Sequence, residues 1–244
     1  MKKLCLFGLV LAVGGCTGTE TGNPNGQVEL LLNARSSNLA LVSLRETGGA
    51  VVVEQAWLTL DKVSLREGDN CIKPERVVET TKIGLGDHSG PDALKLSLNA
   101  PLGFYCQATA DFTNGPGSRP LGAPEEVLNH SIVIVGRLAD GTKLKIASNF
   151  EAQIRLDASA QPIEIGADDA AILMEFDIAT WLNGIDLATA EKDPIEGIVL
   201  SDTKNTAHLA RFEGNVAPGV ELFRDVARNG QVDPEDTKTA GGSL

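Results

Sequence analysis

Between Gln27 and Ile178 the chain sets apolar residues at every second position, in one segment after another. "ALKLSL" opposes Leu94, Leu96 and Leu98 to Ala93, Lys95 and Ser97, and "FEAQIRL" opposes Phe150, Ala152, Ile154 and Leu156 to Glu151, Gln153 and Arg155. "AILMEFDI" sends Ile172, Met174, Phe176 and Ile178 one way and Leu173, Glu175 and Asp177 the other. Successive side chains of a strand point to opposite faces, so these are half-buried strands, with one face on a core and one in water. Many short strands with turn signals between them predict a mainly β domain, an antiparallel β-sandwich over residues 27–200.

Two local features refine that expectation. "IVIVGRLADGTKLKI" reads as a hairpin in which Asp140-Gly141 supplies the positive-φ pair of a tight turn. "VVVEQAWLTLDKVSL" is long for one strand, and its alternation changes phase near Asp61. Ala56, Leu58 and Leu60 share one parity, Val63 and Leu65 the other. A β-bulge at that point keeps both sets on the core.

After Asp177 the pattern changes. "DIATWLNG" is one helical turn capped by Asp177 and ended by Gly184. "DTKNTAHLARFEG" is a short helix between Asp202 and Gly214, and "PGVELFRD" puts Val220 and Phe223 one helical turn apart. Residues 201–244 are therefore expected to form a helical appendage and an acidic tail.

The first residues, "MKKLCLFGLVLAVGGC", follow the secretory plan: Lys2 and Lys3, an apolar run from Leu4 to Val13, then small residues before a cysteine. The apolar run is shorter than the roughly 20 residues a spanning helix needs. "VGGC" resembles the bacterial lipobox. That resemblance implies cleavage of residues 1–15 and a diacylated Cys16 as the new N-terminus, the alternative being an ordinary secretion signal with a coincidental cysteine. Two acyl chains hold where one is marginal, because each buried methylene adds about 0.8 kcal/mol. Thr17 follows the cysteine where enteric lipoproteins retained at the inner membrane carry Asp, which implies the outer membrane. Residues 16–26 contain "TGTETGNPNG", with no apolar side chain, and read as a flexible tether. "GTETGNP" resembles the segment after the lipobox in a set of uncharacterised lipoproteins.

"LNAPLGFYCQATADF" puts Pro101 and Gly103 just ahead of a strand whose Cys106, Ala108, Ala110 and Phe112 face inward. A Pro-x-Gly-x-Tyr lead-in resembles the turn of transthyretin-like and Ig-like bacterial β-sandwich domains. With "AWLTLDKVSL" and "FDIATWLNGIDL" it is similar to a family of lipoprotein β-sandwiches. The membrane, through the N-terminal lipid, is then one partner, and an envelope protein or a glycan is the other.

Without its leader the chain has 229 residues, and the loss of Lys2 and Lys3 takes the formal charge from −12 to −14. Such an acidic surface repels phosphate backbones, which argues against nucleic-acid binding. Cys5 leaves with the leader and Cys16 carries lipid. Cys71 and Cys106 remain, and in an oxidising compartment they read as a disulfide, with two buried thiols as the alternative.

Catalytic sets are sparse. His88, His130 and His208 stand far apart with no metal-ligand spacing, and there is no G-x-S-x-G elbow. Asp87, His88 and Ser89 are adjacent, so their side chains point apart and form no relay. Glu125-Glu126 and Asp168-Asp169 are carboxylate pairs of the kind a glycosidase needs, in a chain with 33 acidic residues. The chain reads as non-catalytic. Trp57, Tyr105 and Trp181 are the aromatic side chains able to form a sugar platform.

One acidic stretch keeps a metal spacing. In "DVARNGQVDPED", Asp225 falls at position 1 of an EF-hand-like loop, Asn229 at 5, Gly230 at 6, Gln231 at 7 through its carbonyl, Asp233 at 9 and Asp236 at 12. Position 3 is Ala227, position 12 is Asp where Glu is usual, and no apolar helix follows. The stretch reads either as a weak calcium site or as an Asn-Gly turn in a frayed terminus; no other cofactor is expected.

Overall fold

The computed structural model describes residues 25–35, 42–43, 50–68, 71, 75–79, 83–85, 94–115, 117–119, 121–165, 171–227 and 232–244. The strands among them are β1 (Asn25–Arg35), β2 (Val42–Ser43), β3 (Ala50–Glu67), β4 (Glu75–Glu79), β5 (Ile83–Leu85), β6 (Leu94–Pro101), β7 (Gly103–Phe112) and β8 (Ile132–Leu138). They continue with β9 (Lys143–Ser148), β10 (Gln153–Asp157), β11 (Ile163–Ile165), β12 (Ala171–Asp177), β13 (Lys192–Asp193), β14 (Gly197–Leu200), β15 (Val220–Asp225) and β16 (Thr237–Ser243). Two helices, α1 (Ile178–Leu182) and α2 (Thr206–Val216), precede the last two strands.

The protein is mainly β, as the alternation predicts, and its strands form one curled mixed sheet. Along that sheet the order is β13-β14-β9-β8-β3-β7-β10-β16-β15-β12-β1-β6, with β2, β4 and β5 also on β3 and β11 on β7. Most neighbours are antiparallel, but β1 runs parallel to β12 and β14 parallel to β9. Period-2 patterning says which face of a strand is buried and nothing about which strand lies beside it.

Two junctions join the arms of the sheet. β6 pairs with β1 in one arm and β7 with β3 in the other, so the chain changes arm at Leu102. The Tyr105 hydroxyl fixes this corner by donating to the Pro101 carbonyl at 2.9 Å. β16 pairs with β15 through Glu221↔Gly241 and with β10 through Leu156↔Gly242, and so closes the seam between the arms.

Buried residues from both arms meet in one core, with Leu58, Leu60, Ile134 and Ile154 on one side and Leu32, Met174, Phe176 and Leu222 on the other. Edge-to-face aromatic pairs run through it: Phe150–Phe112 at 5.5 Å, Phe112–Phe176 at 6.0 Å, Phe176–Trp181 at 6.3 Å and Trp181–Phe212 at 6.1 Å. They tie the sheet to α1 and α2, and such pairs add about 0.5–1.5 kcal/mol each beyond their burial.

The expected local features are largely present. The register of β3 against β7 shifts between Leu60 and Lys62, at the Asp61 phase change, and Leu58, Leu60, Val63 and Leu65 are all buried. Asp177 caps α1 by accepting the Ala179 N–H at 3.0 Å. β8 and β9 form the hairpin, though only Gly141 of the Asp140-Gly141 pair takes a positive φ, +83°.

Residues 220–244 differ from the expected appendage and tail. Val220–Asp225 is a strand, because Val220 and Leu222 point into the main core while Phe223 serves a second cluster on the other face. Thr237–Ser243 is a strand too. Its pairing is made by backbone, and glycine permits the approach: a Cβ on Gly242 would sit 2.3 Å from the Ala217 carbonyl oxygen. Nor is β12 half-buried, since every residue from Ala171 to Phe176 is covered.

Candidate functional site

The acidic stretch 225–236 joins β15 to β16. Of its proposed metal ligands, Asn229 and Gln231 lie outside the described residues. Asp225 ends β15, where it is buried, and pairs in register with Ala171 of β12. Asp236 uses both carboxylate oxygens on backbone: Oδ1 accepts the Val226 N–H and Oδ2 the Asp233 N–H, each at 2.8 Å. Between them Val232, the hydrophobe at position 8 of the loop, packs on Ala171, Leu173 and Phe223. This apolar contact lies on the second face of β12, at Ala171 and Leu173. Among the described residues no three His, Cys, Asp or Glu side chains gather as a metal group.

Beside this hairpin lies the arm-crossing corner. The inward parity of Cys106, Ala108, Ala110 and Phe112 also assigns Phe104 to the core and Tyr105 to solvent. The structure reverses that pair. Arg66 faces Gln107 while Glu67 faces Tyr105, so Cys106 is a bulge residue in the ladder with β3. Below the bulge the parity inverts: Tyr105 is fully buried and Phe104 is 50% exposed. Phe104 forms one wall of a groove of about 140 Å³ that also takes in Ile163, Glu164, Phe223, Arg224 and Thr239. Sequence reasoning missed Phe104 because a bulge is a property of two strands in register, and the alternation from Phe104 to Phe112 runs unbroken in the sequence.

The disulfide is present. Cys71 and Cys106 are bonded with their Cα atoms 5.7 Å apart, and the bond fastens the segment after β3 to the bulge of β7. Cys16, the expected lipidation site, lies outside the described residues.

The aromatic platform loses its side chains to burial. Tyr105 and Trp181 are fully enclosed. Trp57 does point to the opposite face of β3 from Leu58, but a 3₁₀ turn over Glu125–Leu128 lays Val127 on it, together with Ala123 and Val133.

Of the remaining candidates, Glu126, His130 and His208 are engaged structurally, and Glu125 is exposed. Lys145 binds Glu126 at 2.7 Å, and this hydrogen bond holds the Glu126 carboxyl below its usual range despite partial burial. A general acid needs a shift the other way. Lys145 also approaches Glu196 at 4.0 Å, and Glu196 binds Lys204 at 2.7 Å, raising the pKa of that ammonium. His130 Nδ1 meets the Glu126 carbonyl at 2.8 Å, and His208 Nε2 meets the Asp186 carbonyl at 3.0 Å and the Thr189 hydroxyl at 3.2 Å. Asp87, His88, Ser89, Asp168 and Asp169 lie outside the described residues.

No family model matches the chain, and no curated protein matches it. Among solved structures, MbnP from Methylosinus trichosporium is similar, at 13% identity and a TM-score of 0.38, over 88% of this chain and 98% of that one.

Proposed function

We propose that the mature protein is a lipid-anchored, non-catalytic β-domain of the bacterial envelope, attached to the outer membrane by an acylated Cys16 and serving as a structural or binding accessory module. The observation that carries this is the Cys71–Cys106 disulfide downstream of a leader ending in VGGC. Disulfides persist in oxidising compartments, which is where such a leader delivers a chain. The non-catalytic part is supported by the engagement of Glu126 with Lys145 and of His130 and His208 with backbone carbonyls. The finer architecture is a sandwich: the β3-bearing and β12-bearing arms are its two layers, and Leu102 and β16 are the crossings between them. Burial of Trp57, Tyr105 and Trp181 favours an envelope protein over a glycan as the partner.

Cys16→Ser tests the anchor. The wild-type protein should fractionate with membranes and yield an acylated N-terminal peptide by mass spectrometry; the variant should be released. Membrane retention of the variant would sink the proposal.

A second reading keeps a weak calcium site on the β15–β16 hairpin, where Asp225, Asp233 and Asp236 border one loop. Melting in millimolar calcium against chelator tests it.

A further inference from the structure

We infer that the end of the domain carrying Phe104 and Val226 rests on the bilayer that holds the lipid, with both side chains set into a zwitterionic interface. This rests on the reading of Cys16 as the anchor. Thr17 to Pro24 are eight residues, so the first residue of β1 lies within about 30 Å of the lipidated cysteine even at full extension.

Register shows what shares that end. Asn25, at the start of β1, faces Pro101, the last residue of β6, and Leu102-Gly103 leads directly to Phe104. Glu29 of β1 faces Ala171, Ala171 faces Asp225, and Val226 follows. Glu164 faces Phe104 across the β7–β11 pair, and the Phe104 groove takes in Arg224 and Thr239 from β15 and β16. Start of β1, arm-crossing corner, groove and acidic hairpin therefore form one surface.

That surface carries two exposed apolar side chains, Phe104 at 50% and Val226 at 57%. Phe104 is turned out by the Cys106 bulge, although the strand's own alternation would have buried it. An amphipathic protein surface with exposed aromatic and aliphatic groups at headgroup level is the pattern of interfacial contact. Charge selects the kind of bilayer. The chain without its leader is at −14, and Glu164, Asp233 and Glu235 lie at this end, so an anionic surface is repelled. A zwitterionic headgroup is not: the groove beside Phe104 carries Arg224 for a phosphate and Glu164 for an ammonium.

The test uses the full lipidated protein reconstituted into phosphatidylcholine vesicles, part of whose acyl chains are brominated near the headgroup. Trp57 and Trp181 are buried and set the background. F104W and V226W should each lose at least about half of the added emission to bromine and shift to shorter wavelength, as insertion at the headgroup–acyl boundary requires. I195W is the control. Ile195 is 81% exposed beside Lys143, at the end of the sheet where β3 begins, about 50 Å of strand contour from Tyr105. It should match wild type. Replacing half of the lipid with an anionic one should reduce the F104W and V226W signals. If both resemble I195W while the protein stays vesicle-bound, the inference fails and the anchor stands. If wild type carries no acyl group, both fall. Each variant's melting is compared with wild type, and V226W, in the loop after β15, carries the test if F104W does not fold.

Discussion

Asp236 reaches back ten residues to accept the backbone N–H of Val226, and with its other oxygen holds the N–H of Asp233. The two bonds close the loop between β15 and β16 and keep Val232 over Leu173 and Phe223. Bonds to a charged acceptor contribute about 1.5–3 kcal/mol each. Discounted for the exposure of the loop, the two bonds make Asp236→Ala destabilising by about 2–4 kcal/mol, read by urea unfolding, and Asp236→Asn by less because it keeps one acceptor oxygen. Closure by Asp236 alone also predicts equal melting temperatures in millimolar calcium and in chelator. A calcium-dependent rise that Asp225→Ala abolishes would favour the metal reading.

Cys71 and Cys106 are 35 residues apart in sequence. Joining them restricts the unfolded chain, and a loop of this length contributes about 2–4 kcal/mol. The paired Cys71→Ala, Cys106→Ala variant should lose that much in denaturant unfolding. Wild type under reductant should fall to the same level, and a reduced protein as stable as the oxidised one would refute the bridge's contribution.

Asn205 closes an open sheet edge. β13 covers β14 only at Gly197 and Ile198; beyond it the Asn205 amide donates to the Val199 carbonyl at 2.9 Å and exchanges bonds with the Glu191 backbone at 2.7 and 3.0 Å. Asn205 also takes φ +52°, which Asn tolerates better than Ala. Asn205→Gly should lose the amide bonds, about 1–3 kcal/mol, and Asn205→Ala roughly 1 kcal/mol more from backbone strain. Equal stabilities of the two variants in thermal unfolding would count against the strain component.

Glu126 governs part of the acid limb. Its carboxyl is held below the ordinary value of 4.5 by the Lys145 hydrogen bond, so it binds protons less readily folded than unfolded. The stability it contributes is present above pH 4.5 and is lost as pH falls through the depressed folded value. Glu126→Gln should flatten the stability–pH curve below about pH 4.5 without abolishing it, because Asp157, held down by the Ser159 side chain and backbone, titrates in the same window. Unfolding midpoints at several pH values between 3 and 6 check this; a variant curve parallel to wild type would contradict it.

Legibility from sequence followed the range of the interaction. The Asp61 bulge, the Asp177 cap and the turn at Gly141 each depend on a few neighbouring residues, and each appears where the sequence reading puts it. β15 reads as helical because Val220 and Phe223 fit a helical turn as well as a strand whose two faces are both buried. β16 has almost no side-chain pattern, and its glycines read as a loose end until β10 and β15 lie on either side of it.

Local sterics and a period of two suffice to make the chain mainly β and to place the Asp61 bulge, the Gly141 turn and the Asp177-capped helix. Tertiary structure alone decided the parallel pairing of β1 with β12, the seam through β16 and the exchange of Tyr105 for Phe104 on the core face. Each depends on the register between segments distant in sequence, and register is chosen by the energy of the assembled sheet.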